Sequence, residues 1–257
     1  MNRESDVKVE LGSTIAPAQF YIKIMEDGPY MVYGNPPIDQ QLILPNEAGN
    51  SWIYRKGMVQ VNADGESPLM LCRCGASKCK PECDGSHRHH HWNSEETAPH
   101  DGILEDSEII MGDRIFLSDN QSYCAFARFC DAEGRIWNIV QRAITDQDVE
   151  LAKYEAAHCP AGRLLVWNSE TNRPYEHKFI PSLSILEDCG IKVSGPIWVK
   201  GGIRIEGSDG RSYEVRNRVT LCRCGESSNK PFCDGTHASI KFNDELPIEP
   251  SIPHEDF

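Results

Sequence analysis

Three cysteines and one histidine recur at the same spacing in two parts of the chain. Residues 72–87 read CRCGASKCKPECDGSH, and residues 222–237 read CRCGESSNKPFCDGTH. Four soft or borderline ligands within sixteen residues predict a closed metal site. Thiolate and imidazole together favour zinc or an iron–sulfur cluster over a hard cation. Because the offsets are identical in both copies, a role in packing alone is disfavoured. The candidate ligands are Cys72, Cys74, Cys83, His87, Cys222, Cys224, Cys233 and His237.

Both stretches resemble the CDGSH iron–sulfur family, named for the string at residues 83–87. The resemblance implies one 2Fe–2S cluster in each copy, held by three cysteines and one histidine. One iron would be held by the Cys-x-Cys pair and the other by the later cysteine with the histidine. Cys79 is not expected to be a ligand, because its counterpart in the second copy is Asn229. A structural zinc site in each copy is the alternative, although zinc sites more often begin with Cys-x2–4-Cys.

A single histidine ligand has consequences for redox chemistry. Neutral imidazole in place of a thiolate makes a cluster less negative, so the reduction potential should lie above that of all-cysteine ferredoxins. Imidazole also titrates near neutral pH, which couples electron uptake to proton uptake at His87 and His237. Acid should therefore release the metal.

Three further cysteines lie between the repeats, at Cys124, Cys130 and Cys159. Their surroundings resemble divergent single-cluster ferredoxins, which implies a 3Fe–4S cluster or a 4Fe–4S cluster. Ala127 stands where a further ligand would be expected, so a 4Fe–4S cluster would need an outside ligand. The alternative is a ferredoxin-like fold without a cluster, in which the cysteines are simply buried. Cys189 has no partner set and is interpreted as structural.

The elements that position these residues are short. Residues 28–34 resemble residues 195–201, and from there the first copy carries 17 more residues before its first cysteine, predicted as a loop around 35–50. A turn at 207–210 predicts a hairpin of 203–206 with 212–216. Between the repeats, Thr145 and Asp148 predict the start of a helix that ends near Cys159. A second hairpin is expected from 163–167 and 175–180.

The predicted fold class is α+β and mainly β. Two CDGSH-type β modules with iron–sulfur ligand loops flank a ferredoxin-like middle module. The expected division is a flexible tail at 1–12, the first module at 13–101, the middle module at 102–180, the second module at 181–245 and a tail at 246–257. The two CDGSH motifs are expected to form an intramolecular pseudo-dimer.

Composition excludes several classes of protein. The longest apolar runs are far below the roughly 20 residues that span a bilayer, and no signal-peptide core follows Met1, so a cytoplasmic protein without a membrane anchor is expected. Thiols stay reduced there, which makes metal chemistry a better explanation of eleven cysteines than disulfides. A net charge of −13 disfavours nucleic-acid binding and predicts redox partner proteins with a basic docking surface.

The expected function is one-electron, proton-coupled transfer between proteins, without a catalytic nucleophile. The protein is therefore expected to be an electron carrier and not an enzyme, with a reductase activity on an unknown substrate left open. Two alternatives remain: a labile cluster donor or redox and iron sensor, and a structural zinc-binding interaction module.

Overall fold

The computed structural model describes residues 7–61 and 68–250 of the chain. The predicted tails therefore lie partly outside the described residues, at 1–6 and 251–257. No helix within the described ranges has the length and apolar character needed to cross a membrane. Residues 7–12, predicted as part of a flexible tail, contact the body of the protein. Val9 forms a parallel bridge with Val215, and Glu10 is buried.

Short strands dominate the structure, which confirms the mainly β class. The strands are β1 (Tyr21–Ile24), β2 (Tyr30–Tyr33), β3 (Ile38–Pro45), β4 (Ser51–Gln60), β5 (Leu69–Leu71), β6 (Glu108–Met111), β7 (Ile115–Asp119), β8 (Leu164–Asn168), β9 (Ser182–Asp188), β10 (Val193–Lys200), β11 (Arg204–Glu206) and β12 (Arg218–Leu221). The helices are α1 (Ile136–Arg142), α2 (Asp146–Ala157) and α3 (Thr236–Ser239).

Two of the sheets combine strands from both repeats. The first has the order β11-β1-β2-β5, and the second has the order β12-β10-β9-β3-β4. In each repeat two consecutive strands form an antiparallel pair, β1 with β2 and β9 with β10. The strand that follows this pair leaves its sheet and pairs in parallel with a strand of the other repeat. Thus β11 pairs with β1, and β3 pairs with β9. The predicted boundary between modules 13–101 and 181–245 therefore does not separate two sheets, because each repeat supplies strands to both.

The 17 extra residues of the first copy are not a loop. The predicted loop around 35–50 contains β3, and β4 follows it as its antiparallel partner. Leu42 and Ile43 of β3 are buried, while Pro45 ends the strand. The prediction was wrong because the strand is flanked by prolines and asparagines, which are typical of turns, and its parallel partner β9 lies far away in the chain.

The middle segment forms a third sheet, β6-β7-β8, covered by α1 and α2. The predicted helix start is confirmed: the Thr145 side chain accepts from the Asp148 backbone N–H, and the Asp148 carboxylate accepts from the Thr145 backbone N–H. Both predicted hairpins are shorter than expected. In each, the second strand is reduced to a single bridge, Glu206 with Ser212 and Trp167 with Pro174.

One apolar core connects the three sheets. It includes Ile22 of β1, Leu71 of β5, Leu117 of β7, Ile197 of β10 and Leu221 of β12, each almost completely buried. Because the last residues of β5 and β12 belong to this core, the ligand-bearing loops that follow them start from rigid positions.

Candidate metal centres

The two Cys-x-Cys pairs have the spacing of ligands that share one metal ion. The Sγ atoms of Cys72 and Cys74 lie 3.9 Å apart, and those of Cys222 and Cys224 lie 3.7 Å apart. Two sulfurs at about 2.3 Å from a tetrahedral metal are about 3.8 Å apart. The donor pairs therefore fit one tetrahedral metal each.

The second pair of each loop is one cysteine with one histidine. In both copies Sγ and the ring Nδ1 are 3.3 Å apart, for Cys83 with His87 and for Cys233 with His237. A sulfur and a nitrogen on one tetrahedral metal are expected about 3.6 Å apart, from metal distances of about 2.3 and 2.1 Å. Nδ1 is thus the ring atom that faces the thiol in both loops.

The ligands are arranged as separate pairs. Within residues 7–61 and 68–250, no three side chains of His, Cys, Asp or Glu are close enough together to hold one ion. The backbone nevertheless brings the two pairs of a loop side by side. The Cys72 N–H donates to Pro81 O and the Cys83 N–H donates to Met70 O, both at 2.9 Å, with equivalent bonds in the second loop. Each loop therefore places a Cys-x-Cys pair beside a Cys–His pair.

Repeated polar residues hold each ligand loop in shape. The Ser77 hydroxyl donates to Glu82 O, the Lys80 ammonium donates to Ser77 O, and the Asp84 carboxylate accepts from the Lys78 N–H. The second copy has the same bonds from Ser227, Lys230 and Asp234. These serine, lysine and aspartate residues recur at the same offset as the ligands, so alignment of the two repeats is enough to identify them from the sequence.

The arginine between the cysteines anchors each loop from inside. Arg73 and Arg223 are 2% and 3% exposed. Arg73 donates to three backbone carbonyls, whereas Arg223 also forms ion pairs with Glu187 and Asp244. Sequence reasoning missed these residues, although Cys-Arg-Cys occurs in both repeats.

The thiols of the Cys-x-Cys pairs are prepared for ligation. A hydrogen bond from Cys74 lowers the pKa of Cys72 to about 6, and one from Cys224 lowers the pKa of Cys222 to about 7. Backbone N–H groups of Ser77 and Gly75, and their counterparts, act in the same direction. One thiolate in each pair is thus favoured near neutral pH, which is the form that binds metals.

The two histidines are held neutral. Burial, followed by Arg88, lowers the pKa of His87, and burial, followed by Arg223, lowers the pKa of His237 to about 4. Each ring lies in a short turn after a glycine, Gly85 or Gly235, whose φ of +86° or +88° favours glycine. These glycines are the N-caps of the two turns. The aspartate before the first of them, Asp84, accepts from the Ser86 N–H.

The two ligand loops contact each other. A side chain added at Gly75 would collide with the carbonyl oxygen of Cys224, and one added at Gly225 would collide with the carbonyl oxygen of Cys74. The Tyr30 hydroxyl also donates to Cys222 O at 2.7 Å. The two candidate centres are therefore neighbours within one chain.

The three middle cysteines line one pocket. The same pocket is lined by Phe126 and Arg163 and by Ala127, the residue at the position where a further ligand would be expected. Burial raises the pKa of Cys130 to about 12 and also raises that of Cys124. Burial by itself thus favours the protonated form of Cys124 and Cys130.

A buried cation opposes this effect. Arg163 is 4% exposed and lies 3.3 Å from Asp119. Burial acts to lower its pKa, but the combined effect of Cys124, Cys159, Asp119 and Cys130 raises it. Three thiols beside a buried guanidinium suit an anionic group, so the donor set fits an iron–sulfur cluster.

The two remaining cysteines lie apart from these sets. Cys79 is exposed, and its N–H donates to the Ser77 hydroxyl. The Cys189 thiol is half-buried, 3.9 Å from Ile248 O. Neither belongs to a ligand pair described above.

Comparison with protein families gives three matched segments. The family described as iron-binding zinc finger, CDGSH type, matches residues 27–88 and 194–238, and the family described as divergent 4Fe-4S mono-cluster matches residues 110–169. The chain thus carries two CDGSH-type segments around a divergent ferredoxin-like segment. No curated protein and no solved structure matched it.

These matches confirm the predicted tandem organisation. They also support the conclusion that the protein binds iron–sulfur centres. The matched CDGSH segments include all eight candidate ligands in the two loops. The match in the middle includes Cys124, Cys130 and Cys159.

Proposed function

We propose that this protein is a one-electron carrier that binds two 2Fe–2S clusters, each through three cysteines and one histidine. The observation that carries the proposal is the pairing of ligands: Cys72 with Cys74 and Cys83 with His87, each close to the spacing of two ligands on one metal. A four-ligand zinc site would instead bring all four side chains to one point. When bound, each cluster supplies one-electron exchange.

The residues around each centre have defined tasks in this proposal. The histidines, neutral at pH 7, ligate through Nδ1 and release the metal when acid protonates that atom. Arg73 and Arg223 fix the loops from inside and add positive charge beside anionic centres. The middle pocket holds a third cluster, of 3Fe–4S or 4Fe–4S type, through Cys124, Cys130 and Cys159.

The partners are proposed to be redox proteins with a basic docking surface. The chain carries 39 acidic and 26 basic residues, so long-range attraction favours such partners and weakens with added salt. A cytoplasmic location belongs to this proposal, because a reducing compartment keeps cysteines available as cluster ligands.

The test is anaerobic purification followed by iron, sulfide and zinc counts together with EPR of the dithionite-reduced protein. About four irons per chain correspond to two 2Fe–2S clusters, and about seven or eight to an occupied middle pocket as well. A colourless protein with stoichiometric zinc would contradict the proposal.

A second candidate function is donation of a labile cluster, with a role as a redox or iron sensor. Exposure favours it: Cys83 and His87 are partly exposed. Transfer of iron and sulfide to an apo-ferredoxin faster than spontaneous cluster decay would support donation over electron transfer.

A further inference from the structure

The two ligand loops are alike in sequence but differ in exposure. In the first loop Cys83 and His87 are both partly exposed. In the second loop Cys233 is 2% and His237 4% exposed. Since the ligands and their spacing are the same, the difference must come from what covers the second loop.

The middle segment supplies the part of that cover that lies against Gly235. A Cβ atom placed on Gly235 would lie 2.9 Å from the carbonyl oxygen of Cys124 and 3.2 Å from the Cβ atom of Phe126. A Cβ atom placed on Gly85, the equivalent glycine of the first loop, meets nothing within 4 Å. The second loop is thus in van der Waals contact with residues 124–126, and the first is open at the same position.

Two side chains of the second loop extend this contact. The rings of Phe232 and Tyr123 pack with centroids 5.2 Å apart. The Asn229 side-chain amide donates to Ser122 O at 3.0 Å.

The first loop has different residues at the equivalent positions. Glu82 stands in place of Phe232, and Cys79 stands in place of Asn229; both are exposed. The contact with the middle segment is therefore encoded at non-ligand positions where the two repeats differ.

The cover is itself part of the middle cysteine pocket. Cys124, whose carbonyl contacts Gly235, lines this pocket with Cys130 and Cys159. The second loop also contacts the first, through Gly75 and Gly225. It therefore contacts both the first loop and the middle cysteine pocket, which makes it the candidate link between them.

We propose that the second ligand loop is an internal electron relay between the first loop and the middle cysteine pocket, and that it does not itself exchange electrons with outside proteins. Each transfer moves one electron from a reduced to an oxidised centre, and no covalent bond forms or breaks. The initial electron comes from an external redox protein. The inference rests on the proposed function and assigns different roles to the two repeats.

The position of the second loop between the other two centres can be tested by EPR relaxation in variants that lack one centre. Cys83→Ala removes a ligand of the first loop, and Cys233→Ala removes its counterpart in the second. In the dithionite-reduced chain, we expect the remaining 2Fe–2S signal to relax faster through the middle centre in the Cys83→Ala variant. This enhancement should be lost in the Cys233→Ala variant. Equal relaxation in both variants would overturn the relay.

A pair of matched glycine substitutions tests the contact itself. Gly85→Ala and Gly235→Ala impose similar backbone strain, because both glycines have φ near +87°. Only alanine at 235 meets the middle segment. We expect Gly235→Ala to weaken the magnetic interaction between the second and middle centres and Gly85→Ala to retain it. If both variants behave alike, the contact does not join the two centres.

Tyr123→Ala provides a test that leaves both ligand loops unchanged. It removes the ring that packs against Phe232 of the second loop, so the second centre should be oxidised faster by ferricyanide, in a background with the first centre removed by Cys83→Ala. An unchanged rate would contradict the sealing role of the middle segment.

Metal counts separate failure of this inference from failure of the proposed function. Zinc in place of iron would overturn the proposed function. About four irons per chain, with an empty middle pocket, would leave electron transfer by the two 2Fe–2S clusters intact and would overturn the third cluster and the relay. About seven or eight irons without magnetic interaction would overturn only the relay.

Discussion

Replacing the buried arginine of the second loop should destabilise the protein much more than the same change in the first loop. Arg223 lies between Cys222 and Cys224 and forms ion pairs with Glu187 and Asp244, all with side chains at most 2% exposed. Arg223→Met would leave two buried carboxylates without a cation. Breaking a buried ion pair in this way costs about 3–5 kcal/mol.

Arg73→Met is the matched control. Arg73 occupies the equivalent position but donates only to the backbone carbonyls of Gly28, Ser94 and Met25. Carbonyls left without a donor cost about 1–3 kcal/mol. For a chain of this size, about 1 kcal/mol corresponds to roughly 2–4 °C in melting temperature. We therefore expect a loss of about 10 °C for Arg223→Met and about half of that for Arg73→Met.

The pH dependence of the loss distinguishes the two variants. Burial already raises the pKa of Glu187 to about 7 against the opposing effect of Arg223, and removal of Arg223 raises it further. A carboxyl whose pKa is higher in the folded than in the unfolded chain loses stability as pH rises through the folded pKa. The deficit of Arg223→Met should be larger at pH 8 than at pH 6, and that of Arg73→Met should be unchanged.

The assay is thermal unfolding by far-ultraviolet circular dichroism at both pH values, with iron per chain counted before heating. Equal deficits for the two variants, or a deficit of Arg223→Met that does not depend on pH, would refute the reasoning. Arg223→Lys retains the charge and should fall between the parent and Arg223→Met.

Three further predictions concern other groups. Burial raises the pKa of Glu155 from 4.5 to about 7, so folding stability falls as pH rises across that range. Glu155→Gln should therefore have a higher free energy of unfolding than the parent at pH 8, by up to about 3 kcal/mol, and only a small gain near pH 5. Changing His87 and His237 to cysteine should lower the midpoint potentials and remove their pH dependence in redox titrations; an unchanged slope would contradict histidine-coupled protonation. Arg163→Gln removes the cation beside the middle thiols, so iron per chain should fall towards about four, and a full count would contradict its role.

Local signals predicted much of the candidate sites. The ligand residues were recognisable because they recur at one offset, and Thr145 with Asp148 marked the start of α2 correctly. Arg73 and Arg223 were equally visible as a repeated residue. Their burial was not predictable, because arginine is rarely buried without partners, and Glu187 lies 36 residues away from Arg223.

The exchange of strands between the repeats could not be predicted from local patterns. β3 pairs with β9 across more than 140 residues, since Ile38 is opposite Leu183. Alternation within a strand indicates which face is buried, but it does not identify the neighbouring strand. Local patterns consequently predict a loop around residues 35–50, although Leu42 and Ile43 are core residues.

Differences between the repeats are as informative as their identities. Shared residues at Cys72 and Cys222, and at the other ligand positions, can only predict two equivalent centres. The position before the later ligand cysteine is Glu82 in the first repeat and Phe232 in the second. This difference changes what the loop contacts and leaves the ligands unchanged. A charged residue at that position stays in solvent, whereas phenylalanine requires an apolar neighbour, which the middle segment supplies through Tyr123. Because coordination constrains the ligand positions, the unconstrained positions beside them are where two duplicated centres can acquire different partners.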